Sequence, residues 1–294
     1  MDLTTLTPLT VLSDSVTIVQ VEQIKIIRII HEKASAGISL HGGHLVSFKP
    51  TGQHDLIWMS DRAIFDGKAA LRGGIPICWP WFGRIASPAH GFARTSEWSL
   101  LQHRENDRGV IVELGLASSQ QSMDIWPFQF SARLIVEVTD ELKVTLEVTN
   151  TDDKPWTFSA ALHTYLKVSH IRDIMITGVG PEYLDNLQNG ARFESDSTVL
   201  LSDSVDRVYP KTETQIHLQD PGYSRKLVVE NDGHNSAVLW NPWQRGSADL
   251  KDMDDDGYLT MMCIESSLHA SSLETGKALQ PGKTYQLSTK LSIG

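Results

Sequence analysis

Cysteine is nearly absent from this 294-residue chain: Cys78 and Cys263 are the only two, and both sit among apolar neighbours, in PICWP and MMCIE. Neither a disulfide framework nor a zinc site is supported, and buried reduced thiols are expected. Long apolar runs are also missing. The stretch 26–30 is broken by Arg28, and no window approaches the roughly 18 uninterrupted apolar residues of a membrane span, so no membrane partner is expected. The opening MDLTTLTPLTVLSDSV holds no basic residue, the first lysine being Lys25; a secretory leader is not read, and a cytoplasmic location is expected. Positive charge is in deficit, with 26 Lys and Arg against 36 Asp and Glu and a formal net charge of −10, which disfavours nucleic acid and anionic membrane surfaces. Strings that mark phosphate loops, dinucleotide folds and serine nucleophiles do not occur, and HGGH at 41–44 lacks a convincing set of further ligands, so no metal is expected and nucleotide and serine-nucleophile chemistry are disfavoured.

What the chain does contain is alternation. In 141–150, ELKVTLEVTN, Leu142, Val144, Leu146 and Val148 alternate with polar residues, the pattern of a strand with one wet face. The preceding 130–139 places Leu134, Val136 and Val138 on one face, and the short link 139–141 predicts a hairpin. Similar short runs recur at 16–21, 45–48, 109–116, 215–218, 226–230, 236–240, 258–264 and 284–291, most of them separated by Gly, Pro, Asn or Asp. Residues 24–30, with five isoleucines, are read as a strand as well. Helical periodicity is scarce, with room for a few turns at 118–125 and after Leu56. Many strands without β–α alternation predict an all-β, large antiparallel sandwich in one domain, 1–294, with its core at about 15–292. The acidic DMDDDG at 252–257 lacks the closing glutamate of a calcium loop and is expected to be a solvated loop.

Four segments could carry chemistry. In 71–83, LRGGIPICWPWFG, glycines, prolines and three aromatic residues crowd around Arg72, which excludes helix and predicts a rigid, aromatic-lined loop. Aromatic faces suit the C–H faces of a sugar, and an arginine among them can grip an anion such as phosphate through paired bonds; a packed corner with Arg72 satisfying backbone carbonyls is the open alternative. AHGFARTSEW at 89–98 sets His90 and Arg94 four apart across a glycine, for function or for packing. In 160–168, AALHTYLKV, His163 interrupts an apolar run; on a strand it shares a face with Ala161 and Tyr165, as a satisfied core histidine or as a general acid. Glu265 closes the apolar run LTMMCIESS at 259–267. Desolvation there raises a carboxyl pKa toward that of a useful base, whereas a strand simply ending at the surface leaves it ordinary.

In this order the segments resemble the aldose 1-epimerase (mutarotase) superfamily and, within it, the glucose-6-phosphate 1-epimerase branch. The strings that carry the resemblance are LRGGIPICWPWFG, HGFAR followed by EW, LHTYLKV, YLDNL, DRVY, LWNPW, CIE and LQPGKTYQL, and the resemblance as a whole covers roughly residues 15–292. The resemblance implies a galactose-mutarotase-like supersandwich and a cofactor-free interconversion of the α and β anomers of a small-molecule aldohexose 6-phosphate. It implies Glu265 as the general base on the C1 hydroxyl and His163 as the general acid on the ring oxygen. By the same likeness His90 bonds the sugar or the opening carbonyl, Arg72 and Arg94 grip the substrate and above all its phosphate, and Asp185 in YLDNL accepts from sugar hydroxyls. Trp79, Trp81 and Phe82 are expected to wall the pocket, and a monomer is expected. The chain departs from the family pattern after Glu265, where it reads Ser266-Ser267-Leu268-His269. A free-aldose epimerase and a non-catalytic phosphosugar-binding sandwich stand as alternatives.

Overall fold

The structure, a computed structural model, describes residues 2–294. Among the described residues the α-helices are two short ones, Gln120–Ile125 and Trp243–Asp249; strands and single turns of 3₁₀ helix make up the rest of the regular structure. No helix among them is long and apolar enough to cross a membrane.

The alternating patterns form the strands they predict. Phe130–Val138 and Leu142–Asn150 pair antiparallel, with Leu134 opposite Leu146, Val136 opposite Val144 and Val138 opposite Leu142. All six are buried, each contributing about 1.5–3 kcal/mol of apolar transfer, and the intervening Lys143 stays exposed. Leu142–Asn150 pairs on its far side with Thr284–Ile293, which in turn pairs with Arg225–Asp232, so distant parts of the chain share one nine-stranded sheet. Ile24–Ile30 is central in a five-stranded sheet, and its isoleucines at 24, 26, 27 and 29 are all buried. Buried Arg28 lies on the same strand; its guanidinium donates to the carbonyls of Leu3 and Leu6 and to the Thr17 hydroxyl, fixing the N-terminal segment.

An eight-stranded antiparallel sheet carries the candidate site. Its order is Ala191–Glu194, Glu182–Asp185, Val205–Tyr209, Ser236–Asn241, Met261–Leu268, Ala160–Leu162 and Ile77–Cys78, with Tyr165–Lys167 also paired to Met261–Leu268. Ala237, Leu239 and Ile264 on its inner face join Leu134, Leu146 and Leu287 of the nine-stranded sheet in one continuous core. This is the supersandwich arrangement.

Three local expectations are corrected. The stretch after Leu56 is not helical: Ile57 bridges Leu166, Met59 bridges Gly73 and the Trp58 N–H is taken by the Tyr165 carbonyl, so its backbone groups pair laterally. The strand expected at 258–264 begins at Met261, because Gly257–Thr260 forms a 3₁₀ turn. The acidic loop at 252–257 is not wholly solvated, since Asp252 turns inward to Arg72. Helix Trp243–Asp249, inside and beyond LWNPW, was not anticipated. Both cysteines are fully buried and free.

Candidate active site

The site follows from strand register. Met261–Leu268 pairs along one edge with Ala160–Leu162, from Ala160 opposite Leu268 to Leu162 opposite Ser266, and then with Tyr165–Lys167, from Tyr165 opposite Cys263. Both ladders keep one register, which sets His163 opposite Glu265 where the ladder is interrupted. His163 therefore sits at a break between two short strands and not within one continuous strand. At the interruption the His163 N–H donates to the Pro76 carbonyl and the Thr164 N–H to the Leu162 carbonyl, so neither serves the ladder. Cross-strand neighbours stand close enough for their side chains to meet, and His163 Nε2 lies 3.4 Å from Glu265 Oε1.

Both groups are buried, His163 being 8% and Glu265 1% exposed, and His163 Nδ1 and Glu265 Oε2 have no hydrogen-bond partner among the described residues. Burial raises the Glu265 carboxyl well above the usual carboxylate range, and the negative charge of Asp206 adds to the effect. Burial lowers His163 well below an ordinary imidazole, helped by His90, Arg94 and Arg72. The pair can hold one proton as carboxyl and neutral imidazole or as carboxylate and imidazolium. Desolvation favours the first, uncharged arrangement.

Around this pair the loop segments supply cations and rings. Arg72 Nε lies 3.2 Å from Asp252 Oδ1, and its Nη1 donates to the Tyr165 hydroxyl at 3.0 Å. Burial opposes its charge, but Tyr165 and Asp252 outweigh that and hold it firmly protonated. Arg94 Nη2 donates to the Ala89 carbonyl, while its buried Nε has no partner among the described residues. His90 has φ +66°, a left-handed conformation that costs a non-glycine residue of order 1 kcal/mol. The turn is held by the His90 N–H donating to the Gly83 carbonyl and by His90 Nδ1 accepting from the Gly83 N–H. Gly91 continues it at φ +69°, where a Cβ would strike the Trp79 carbonyl. The His90 ring lies 6.0 Å from that of His163 and 5.4 Å from Phe82. Burial pushes His90 down to about 3, with Arg94, Arg84 and Arg72 adding to it.

The structure thus gathers His163, Glu265, His90, Arg72, Arg94 and Phe82, and places three expected residues elsewhere. Asp185 is in register with Arg207, which pairs with Leu239; strand alternation puts it on the sheet face opposite Glu265, whose row runs through Val238 and Val208. Its carboxylate accepts from the Leu187 N–H and Gln188 Nε2. Trp79 and Trp81 lie in the aromatic core, Trp79 meeting Phe92, Trp126, Phe130 and Trp156, and Trp81 donating to the Pro88 carbonyl. Residues missed in the sequence are Asp206, Tyr165, Trp240 and Arg84. Asp206 pairs with Trp240 and Trp240 with Cys263, two residues from Glu265, which places Asp206 on the site's face. The string DRVY contains it, but only the pairing shows which polar residue of that string faces the carboxyl.

The aldose 1-epimerase family model matches residues 25–292. A Salmonella typhimurium protein named "Putative glucose-6-phosphate 1-epimerase" is 32% identical, over 91% of this chain and 90% of its own. The crystal structure of a "putative mutarotase" from Salmonella typhimurium aligns with TM-score 0.92 at 30% identity, covering 98% of this chain and 97% of that one. A galactose mutarotase-like protein from Clostridium acetobutylicum, 17% identical over 95% of this chain and 98% of its own, has the same fold with TM-score 0.75. The family match runs through every strand that builds the site, from the inner sheet to the paired His163 and Glu265, and on that ground the chain belongs to the aldose 1-epimerase family.

Proposed function

We propose that the chain interconverts the α and β anomers of D-glucose 6-phosphate by acid–base ring opening and reclosure. The observation that carries this reading is the buried His163–Glu265 pair, set face to face by register and bordered by Arg72 and Arg94. Glu265 takes the proton of the C1 hydroxyl while His163 delivers one to the ring oxygen. The C1–O5 bond breaks, C1 becomes an aldehyde, rotation about C1–C2 turns its other face to O5, and reclosure reverses both transfers.

The proton count suits the pair. One proton arrives on Glu265 as another leaves His163, so the pair holds a single proton throughout. The carboxylate–imidazolium arrangement belongs to the ring-closed sugar and the uncharged arrangement to the open aldehyde. A phosphate among Arg72 and Arg94 offsets the positive field that, after burial, depresses His163, and so favours the proton on His163 when the phosphorylated ring is bound. In a chain of net charge −10, a dianionic substrate needs such a local cationic site. In this reading Asp206 accepts hydrogen bonds from sugar hydroxyls and His90 bonds the sugar beside it, so that DRVY rather than YLDNL supplies the carboxylate. Similarity to the Salmonella typhimurium protein of that name supports the phosphorylated substrate.

The test is exchange NMR between the α and β anomeric protons at equilibrium, with glucose 6-phosphate and with glucose. The wild-type protein is expected to accelerate exchange of the phosphorylated sugar. Arg94→Ala should lower that rate about 10- to 100-fold, the value of a charge-assisted contact, and leave any action on glucose within about threefold. Equal losses on both sugars would make the substrate a free aldose, and no acceleration of either above the spontaneous rate would sink the reading.

A further inference from the structure

We infer that Tyr165 is a positioning residue that couples the orientation of the general acid to the grip on the phosphate. The inference rests on the reading above, with His163 as acid and Arg72 at the anion.

Tyr165 is 2% exposed, and its backbone is fixed on both sides: its N–H donates to the Gly74 carbonyl, and its own carbonyl accepts from the Trp58 N–H. Its ring stacks on the His163 imidazole with centroids 4.9 Å apart and planes 10° apart, and on Trp58 at 5.9 Å and 17°. Trp240 meets both His163 and Tyr165 edge-on, at 5.9 Å each. A catalytic imidazole is commonly oriented by a hydrogen bond at its second nitrogen. His163 Nδ1 has none among the described residues, so the stack with Tyr165 and the edge of Trp240 are what set the ring plane toward Glu265. The Tyr165 hydroxyl meanwhile accepts from Arg72 Nη1 at 3.0 Å, with Arg72 Nε engaged by Asp252. One rigid side chain therefore touches both the group that donates to the ring oxygen and the guanidinium that meets the phosphate.

Two variants separate these contacts. Tyr165→Phe keeps the stack and removes the hydroxyl; KM for glucose 6-phosphate should rise about 3- to 10-fold, with its kcat and any turnover of glucose within about twofold. Tyr165→Leu removes the plane; kcat for glucose 6-phosphate should fall about 10- to 100-fold, as misorientation of an acid does. Water reaching His163 would also relieve the burial that depresses its pKa, so the alkaline limb of the kcat profile should move to higher pH. A merely structural role would move neither the sugar selectivity nor that limb. If Tyr165→Leu does not fold, Tyr165→Phe decides alone, because a KM loss confined to the phosphorylated sugar does not arise from general loosening. A Phe variant with no KM change, or with equal changes on both sugars, overturns the tie to Arg72; a folded Leu variant with unaltered kcat and pH limb overturns the orientation of His163. Failure of the underlying reading shows separately, as wild-type protein that accelerates neither sugar.

Discussion

Two buried carboxylates face buried basic groups in this molecule and are treated in opposite ways. Asp220 is fully buried and lies 3.6 Å from Arg225 Nε. It also accepts from the N–H and hydroxyl of Ser169, while Arg225 donates to the carbonyls of Lys167, His54 and Asp55. Glu265 is equally buried, yet among the described residues one oxygen has only His163 at 3.4 Å and the other has no partner. A buried charge costs several kcal/mol unless it is paired and hydrogen-bonded. Asp220 meets that condition with groups of its own chain and is closed to anything else. Glu265 does not, and its raised pKa leaves it able to exchange a proton with a bound molecule. The difference separates a carboxylate that holds strands together from one available for chemistry.

The sharpest way to break this comparison is to neutralise each carboxylate in turn. Glu265→Gln should slow anomer exchange by about 10³-fold while unfolding in urea at or above the wild-type midpoint, because it removes a desolvated carboxyl without stranding a permanent charge. Asp220→Asn should instead destabilise by about 3–5 kcal/mol, since Arg225 cannot shed its charge, and leave the rate per folded molecule near wild type. Unfolding that follows Glu265→Gln, or a rate lost on Asp220→Asn in protein shown to be folded, would erase the division.

A buried titratable group outside the pair gives the next largest effect. His44 is fully buried, with Nε2 2.7 Å from the Gly73 carbonyl, and burial pushes it down to about 3 from 6.5. Its folded pKa is depressed, so the unfolded state binds the proton more tightly. The stability it contributes is present above pH 6.5 and is lost as pH falls toward 3. At pH 5 the loss from this one residue is about 2 kcal/mol. Glu265, with its pKa raised, works in the other direction: its contribution is present below 4.5 and is lost as pH rises through its folded value. Urea midpoints at pH 7.5 and 5.0 should therefore fall on acidification in the wild type and fall less in His44→Asn. Parallel lines for the two proteins would mean that His44 accepts a proton in place.

Much of the fold was legible because alternation is a local signal. Leu134 through Val148 declare a hairpin by themselves, and Ile24 through Ile29 declare a buried strand by β-branching alone. Glu265 was legible for a similar reason, as a carboxylate closing an apolar run. Facing relations were not legible, because they depend on which remote strands pair and in what register. His163 lies opposite Glu265 only through the ladder between 160–167 and 261–268, and its interruption at His163 is invisible to periodicity. Asp185 and Asp206 are both strand aspartates, yet one residue of register decides which face each takes. Trp79 and Trp81 show the limit of composition, since a core and a sugar-binding wall draw on the same aromatic residues.

Asp206 gives the smallest effect and tests the comparison at its finest point. It shares the Glu265 face, and its negative charge adds to burial in raising the Glu265 carboxyl. Asp206 is itself raised by burial, opposed by the hydrogen bond it accepts from Asn186 and reinforced by Asp185. Asp206→Asn removes the charge and keeps the size, so ionised Glu265 becomes easier to form. Glu265 must be ionised to take the C1 proton, and the acidic limb of the kcat profile should accordingly move to lower pH. Loss of a sugar contact alone would raise KM without moving that limb. An unmoved limb would assign Asp206 to substrate binding only and leave desolvation as the whole cause of the Glu265 shift, whereas an upward movement would mean that Glu265 is not the group titrating there.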